Sequence, residues 1–272
     1  MTAAPSAAEP PPPPPGLPGA LSVEPTLADV QGLWRRLWLR TPAAEDATTE
    51  VHWLQAGPLH VDLRLPADPP DVRGARSLSD LPPRVLRLLA RAEGFAGATA
   101  VERGVCTWTR RVNWRGPLDG PDVGALFFEN GDLMERGVFA DYAELWRRLP
   151  GAGPLAARQL RRADGQAAVL ARAGERFLLG RGAPEALAAP ASLPVRLERA
   201  LAHRHRGALR RLFDQEFCHG RLTPGGGIIE RSTNPLREGA LAFPPDAFTA
   251  EVVHLTAQDF DGVTEESAWF PV

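Results

Sequence analysis

Short β-prone segments separated by two-residue turns recur along this chain, and that spacing restricts its fold more than any other feature. Asn130-Gly131 joins Leu126–Glu129 to Asp132–Glu135, and both turn residues tolerate the positive φ that a tight hairpin demands. Gly104 turns the chain inside Val101–Cys106, and Asp164-Gly165 and Ala173-Gly174 mark two further turns. The segments around that pair run from Arg158 to Leu179, with Leu160, Val169, Phe177 and Leu179 among their apolar members. Parallel strands need a crossover of roughly a dozen or more residues each, so hairpins this closely spaced predict an antiparallel meander, in a barrel or sandwich.

Two stretches depart from the pattern. Ser77–Ala92 carries Leu81, Val85, Leu88 and Leu89 at helical spacing, with Ser77 or Ser79 as cap and Gly94 as its end. From Ser192 to Ala202, Leu193, Leu197 and Leu201 recur every fourth residue, and Arg196–Phe213 also reads as one longer helix interrupted at Gly207. Each helix follows three strand candidates and precedes more, so the order strand-strand-strand-helix-strands occurs twice, divided at Pro150-Gly151-Ala152-Gly153-Pro154. We therefore expect a mainly β chain. Its antiparallel meander forms two small lipocalin-like barrels, each with a short helix, over residues 26–150 and 151–272, the second a weak duplication of the first. Closing a sheet removes its exposed edges, and a barrel of about eight strands has room for one small ligand. The linker predicts two units with few shared contacts. Residues 1–25 contain Pro10–Pro15 and no basic residue. They lack the positive start and apolar core of a secretory signal and read as a disordered polyproline tail.

Composition acts by exclusion. All 31 basic residues are Arg and none is Lys, which removes a Walker phosphate loop, a Schiff-base amine and the strand Lys of a kinase. The formal net charge of −2 sets up no field toward nucleic acid or an anionic membrane. No apolar run approaches the roughly 20 residues that span a bilayer. The expectation is a soluble, cytoplasmic protein with neither a nucleic-acid nor a membrane partner. Cys106 and Cys218 form no C-x-x-C pair and read as reduced, partly buried thiols.

Trp34-Arg35-Arg36-Leu37-Trp38, Glu50-Val51-His52-Trp53-Leu54-Gln55, Cys106-Thr107-Trp108 and Arg231-Ser232-Thr233 resemble segments of an uncharacterised bacterial protein family without an assigned activity. The order of elements resembles, by topology, the lipocalin-like (calycin) barrels. Neither likeness brings catalytic residues with it.

Thr48–Pro66 holds the first candidate site. Its two strands are joined around Ala56-Gly57-Pro58, and loop length sets register. A three-residue loop puts Trp53 opposite Val61 and Val51 opposite Leu63 on one face. On the other, His52 meets Asp62 and Glu50 meets Arg64. A two-residue loop at Ala56-Gly57 would mix apolar with charged partners, so the three-residue register is expected. A carboxylate against a His starts a general-base arrangement and raises the imidazole pKa. If the face lines a lumen it is functional; if it points to water, the pairs are ordinary cross-strand partners.

The second candidate is the polar run after Ile229. Arg231 and Arg237, with Ser232 and Thr233, can hold a carboxylate or phosphate by charge-assisted bonds, or pair with Glu230 and Glu238 in a structured loop. Trp53 and Trp108, in candidate strands, fill a core or line a pocket for an aromatic or apolar ligand. No metal site is assembled: His203 and His205 sit between arginines, and adjacent Cys218 and His219 point to opposite faces of a strand. No G-x-S-x-G elbow is present. Gly225-Gly226-Gly227 precedes a strand and not a helix, so it reads as a hairpin turn. No catalytic residue, metal or cofactor is assigned, and no oligomeric state.

The leading expectation is a protein that binds a small hydrophobic or amphipathic molecule in a barrel. The alternatives are an isomerase, hydrolase or lyase with His52 as base and Asp62 orienting it, or a non-catalytic interaction module whose Pro-rich tail recruits a partner.

Overall fold

The structure, a computed structural model, describes residues 24–272 apart from Ala152. The tail expected over residues 1–25 lies outside the described residues except for Glu24 and Pro25. The first sheet begins with β1 (Gly32–Arg40), the two-residue β2 (Glu45–Asp46), β3 (Glu50–Ala56) and β4 (Leu59–Leu65). After α1 (Pro83–Leu89) come β5 (Glu93–Glu102), β6 (Val105–Asn113), β7 (Asp122–Glu129), β8 (Asp132–Gly137) and β9 (Ala143–Arg148). Apart from β2, each strand pairs antiparallel with the next, and β9 returns to β1. Strands β1 and β3–β9 thus close an eight-stranded barrel, with β2 on the edge of β1. At the β5–β6 and β7–β8 hairpins both turn residues have positive φ: Arg103 (50°) with Gly104 (73°), and Asn130 (52°) with Gly131 (88°). That geometry follows the right-handed twist of the strands it joins.

The second sheet begins with β10 (Leu155–Arg161), β11 (Ala167–Ala173) and β12 (Arg176–Gly182). Then follow α2 (Leu193–Ala202), α3 (Arg206–Phe213), β13 (Glu216–Thr223), β14 (Gly226–Ser232), β15 (Leu241–Phe243), β16 (Val253–Gln258) and β17 (Thr264–Pro271). Its order is β15-β14-β13-β12-β11-β10-β17-β16. The end strands lie beside each other, and buried Arg237 bridges them, donating to the carbonyls of Leu241 (3.0 Å) and Thr256 (2.6 Å). This barrel is nearly closed. Setting β2 aside, both barrels run through three strands, a helical segment and five strands.

The helices differ in detail from their sequence patterns. Ser77 caps only a single turn at Leu78–Asp80, because Leu81 precedes Pro82 and is held extended. Helix α1 opens instead on Pro83, where a missing N–H costs nothing. It stops at Ala90, and Gly94 already belongs to β5. The stretch Arg196–Phe213 is two helices, broken at Arg204 (φ 50°) and not at Gly207. His205 caps α3, its Nδ1 accepting from the Ala208 amide at 3.0 Å.

Apolar side chains gather in three places. Trp34, Val51, Trp53, Trp108, Leu126, Leu133 and Trp146 fill the first barrel, and Leu170, Phe177, Leu179, Phe243, Leu255 and Trp269 the second. The largest cluster lies between them. Leu54, Val61, Leu63 and Ala96 from one barrel meet Val169, Ala171, Leu178 and Phe217 from the other, with α1, α2 and α3 closing one side. The expectation of few shared contacts is therefore corrected: the outer faces of β3–β5 pack on those of β10–β13. No helix among the described residues is long and apolar enough to cross a membrane.

Candidate functional site

The β3–β4 hairpin turns on Gly57-Pro58, with Gly57 at φ 58°. The pairs are Glu50 with Leu65, His52 with Leu63, Trp53 with Asp62 and Gln55 with His60. The expected pairing of His52 with Asp62 and Glu50 with Arg64 is thereby overturned. A one-residue slip sends one strand's side chains to the other face. Val51, Trp53, Gln55, His60, Asp62 and Arg64 point into the first barrel. Glu50, His52, Leu54, Val61 and Leu63 point toward the second. The apolar face of β4 lies outside its own barrel because another barrel covers it.

Inside the first barrel the polar residues are locked among themselves. The Asp62 carboxylate takes the Arg64 Nε at 2.8 Å, and Arg64 also reaches Glu144 at 3.3 Å. Arg36 donates to Glu144 and to Asp46, each at 2.8 Å. Tyr142 and the Trp146 ring N–H donate to the two oxygens of Glu135, at 2.7 and 3.1 Å. Burial, reinforced by the charge of Glu144, pushes the Glu135 carboxyl up to about 8. Burial raises Asp62 too, while its Arg64 partner opposes the shift. The Thr99 hydroxyl donates to Gln55 (2.9 Å), so it must accept from His60 Nδ1 (2.9 Å). Burial first and Arg110 second hold His60 down to about 3, so the ring is neutral. Trp53 packs edge-on against Trp108 (centroids 5.8 Å) and Trp146 (5.7 Å). The space left among Trp53, Asp62, Arg64, Trp108 and Glu135 is about 10 Å³, room for about one water. Asp62, Arg64, Trp53 and Trp108 fill the barrel interior.

Glu50 and His52 meet different partners. Between the barrels lies a cleft of about 570 Å³ built from two cross-strand rows. Arg35 opposite His52 comes from β1 and β3, and Leu178, His219 and Arg231 align across β12, β13 and β14. Glu50 Oε1 lies 3.1 Å from His219 Nε2 and 3.6 Å from His52 Nδ1. The two imidazole rings are 4.5 Å apart at a 57° tilt. Arg231 Nε reaches Glu50 Oε2 at 3.3 Å and is itself paired with Glu238 at 3.2 Å. The His219 hydrogen bond, with the nearby histidines and Arg231, brings the Glu50 carboxyl down to about 2 despite its burial. Burial, then the neighbouring His219, takes His52 down to about 4, against the pull of Glu50. At neutral pH the floor therefore holds a carboxylate beside a neutral His52. Arg35 carries no carboxylate partner among the described residues, and Arg176 pairs with Glu230 at the rim. Leu33, Leu37, Leu149 and Leu178 supply apolar wall.

The remaining sequence candidates divide in the same way. Only Arg231 of the second group reaches the cleft. Ser232 donates to buried Glu216 at 2.8 Å, Thr233 accepts from the Phe217 amide at 3.0 Å, and Arg237 seals the second barrel. His203 and His205 are exposed, Cys106 and Cys218 are buried, unpaired thiols, and Pro224-Gly225 turns a hairpin. Reading the sequence missed His219, Arg35 and Arg176. Strand alternation does put His219 opposite in face to Cys218, but nothing in the spacing tells which surface that face meets.

No family model and no curated protein matches this chain. Among solved structures, the crystal structure of an uncharacterised protein from the yeast Saccharomyces cerevisiae superposes on it with a TM-score of 0.50. The two are 10% identical, and the match covers 88% of this chain and 97% of that one, a likeness of fold.

Proposed function

We propose that the protein binds a small anionic, partly apolar molecule in the cleft between its barrels. The observation that carries this reading is a cleft of about 570 Å³ in which Arg35, Arg176 and Arg231 stand with Glu230 around a floor of Glu50, His52 and His219. That volume falls within the roughly 300–1,000 Å³ of small-molecule sites. Arginines favour planar anionic groups, which they bond through charge-assisted pairs, and the leucines on the wall favour an apolar body. The filled interior of the first barrel supports the cleft over the lumen as the ligand's place. The barrel topology that resembles the lipocalin-like proteins is consistent with a carrier, although the binding surface differs.

Titration with anilinonaphthalene sulfonate, an anionic amphipathic dye, tests the reading. The native protein should bind one equivalent with enhanced fluorescence. Arg176→Ala should weaken binding about tenfold, the equivalent of one charge-assisted hydrogen bond of about 1.4 kcal/mol. No binding, or equal binding by the variant, would count against the cleft.

A further inference from the structure

We infer that Glu50, His52 and His219 hold one divalent transition-metal ion at the floor of the cleft, with its open positions facing the ligand. The inference rests on the cleft being a binding site and names what lies at its base. The three donor atoms are Glu50 Oε1, His52 Nδ1 and His219 Nε2, all within 4.8 Å of one another. An ion at about 2.1 Å from each of two ligands sets those donors about 3.0–3.4 Å apart. Of the two distances to Glu50, 3.1 Å falls within that span and 3.6 Å just beyond it. Both rings bring a nitrogen close to the same carboxylate oxygen.

The donor chemistry narrows the ion. Two imidazoles and one carboxylate suit zinc, iron, cobalt or nickel, whereas calcium and magnesium ask for oxygen ligands. His52 Nδ1 is buried and makes no hydrogen bond, an omission that ordinarily costs stability and that coordination would remove. Arg231 occupies Glu50 Oε2 and is steadied by Glu238, leaving Oε1 turned to the histidines. Such an orienting partner is what metal-binding carboxylates usually have. The charges of Arg35, Arg176 and Arg231 are matched by those of Glu50, Glu230 and Glu238, so a divalent ion at the floor would leave the cleft with positive charge in excess. An anionic ligand completing the coordination would offset that excess, so ion and ligand should bind cooperatively. Glu50 and His52 come from one barrel and His219 from the other, so the site exists only when the barrels are docked.

The full chain, stripped with a chelator and dialysed, is titrated with Zn²⁺ and with Co²⁺. One equivalent should bind. His219→Ala and Glu50→Gln should each weaken it by more than the roughly 10–100-fold lost when a residue that merely orients a ligand is removed. His254→Ala, at an exposed histidine, should leave affinity unchanged. Independently of any variant, Co²⁺ should shift the ring-proton resonances of two of the six histidines. Binding that His219→Ala does not weaken, no binding, or shifts confined to other histidines would overturn the assignment. The dye titration separates the two readings. Dye bound without metal ends the metal site alone, and metal bound without dye ends the anionic ligand alone.

Discussion

Glu135 shows how a single buried group ties stability to pH. Its carboxyl is enclosed by Tyr142 and Trp146, and burial with the nearby Glu144 charge lifts it to about 8. A carboxyl whose folded value is raised binds a proton more tightly when folded. Its contribution is therefore complete below the ordinary Glu range and is lost as pH rises through about 8. His52 and His60 are held low and pull the other way, but only below about pH 6.5, where the unfolded chain would charge them. Between about pH 7 and about pH 8.5, Glu135 should stand out, with stability falling by about 1 kcal/mol. Urea unfolding at both values measures it, and Glu135→Gln should remove most of the difference, the buried thiols Cys106 and Cys218, also held protonated by burial, accounting for the remainder. An equal loss in the variant would place the effect elsewhere.

At the scale of the element, the β3–β4 turn sets which chemistry faces where. Gly57 has φ 58°, and a Cβ there would meet no atom within 4 Å. The cost of Gly57→Ala is therefore backbone conformation alone, about 1–2 kcal/mol. A denaturation midpoint that did not move would show the turn able to relax. The same two residues sort the hairpin's ionisable groups: Asp62 and Arg64 go to the barrel interior, Glu50 and His52 to the cleft. A turn one residue longer would bring both sets onto one face.

For the whole molecule, the junction of the barrels is the sensitive point. The Phe217 ring lies in a slot between two glycines from different sheets. A Cβ on Gly94 would come within 2.4 Å of its Cγ, and one on Gly180 within 2.4 Å of its Cε1. Gly94→Ala should destabilise by about 1–3 kcal/mol through overpacking, and calorimetry of either protein should give one transition. Two resolved transitions would show that each barrel stands without the other, against the shared core seen here.

Local chemistry was enough to foretell the meander. Asn130-Gly131 and Gly104 permit the positive φ of tight hairpins, and leucines spaced by four mark α2. The twofold order of three strands, helix and further strands follows from such signals. The direction of the faces does not. Leu59, Val61, Leu63 and Leu65 alternate with His60, Asp62 and Arg64 in β4, and alternation says only that the sets face apart. In a lone barrel the apolar set would turn inward; here the second barrel covers it from outside, and the polar set goes in, where Arg36, Arg64 and Glu144 compensate one another. Glu50 and His219 stand 169 positions apart, and no spacing rule links them. They meet because two sheets stack, and burial of the large apolar surface between those sheets is a property of the assembled chain alone.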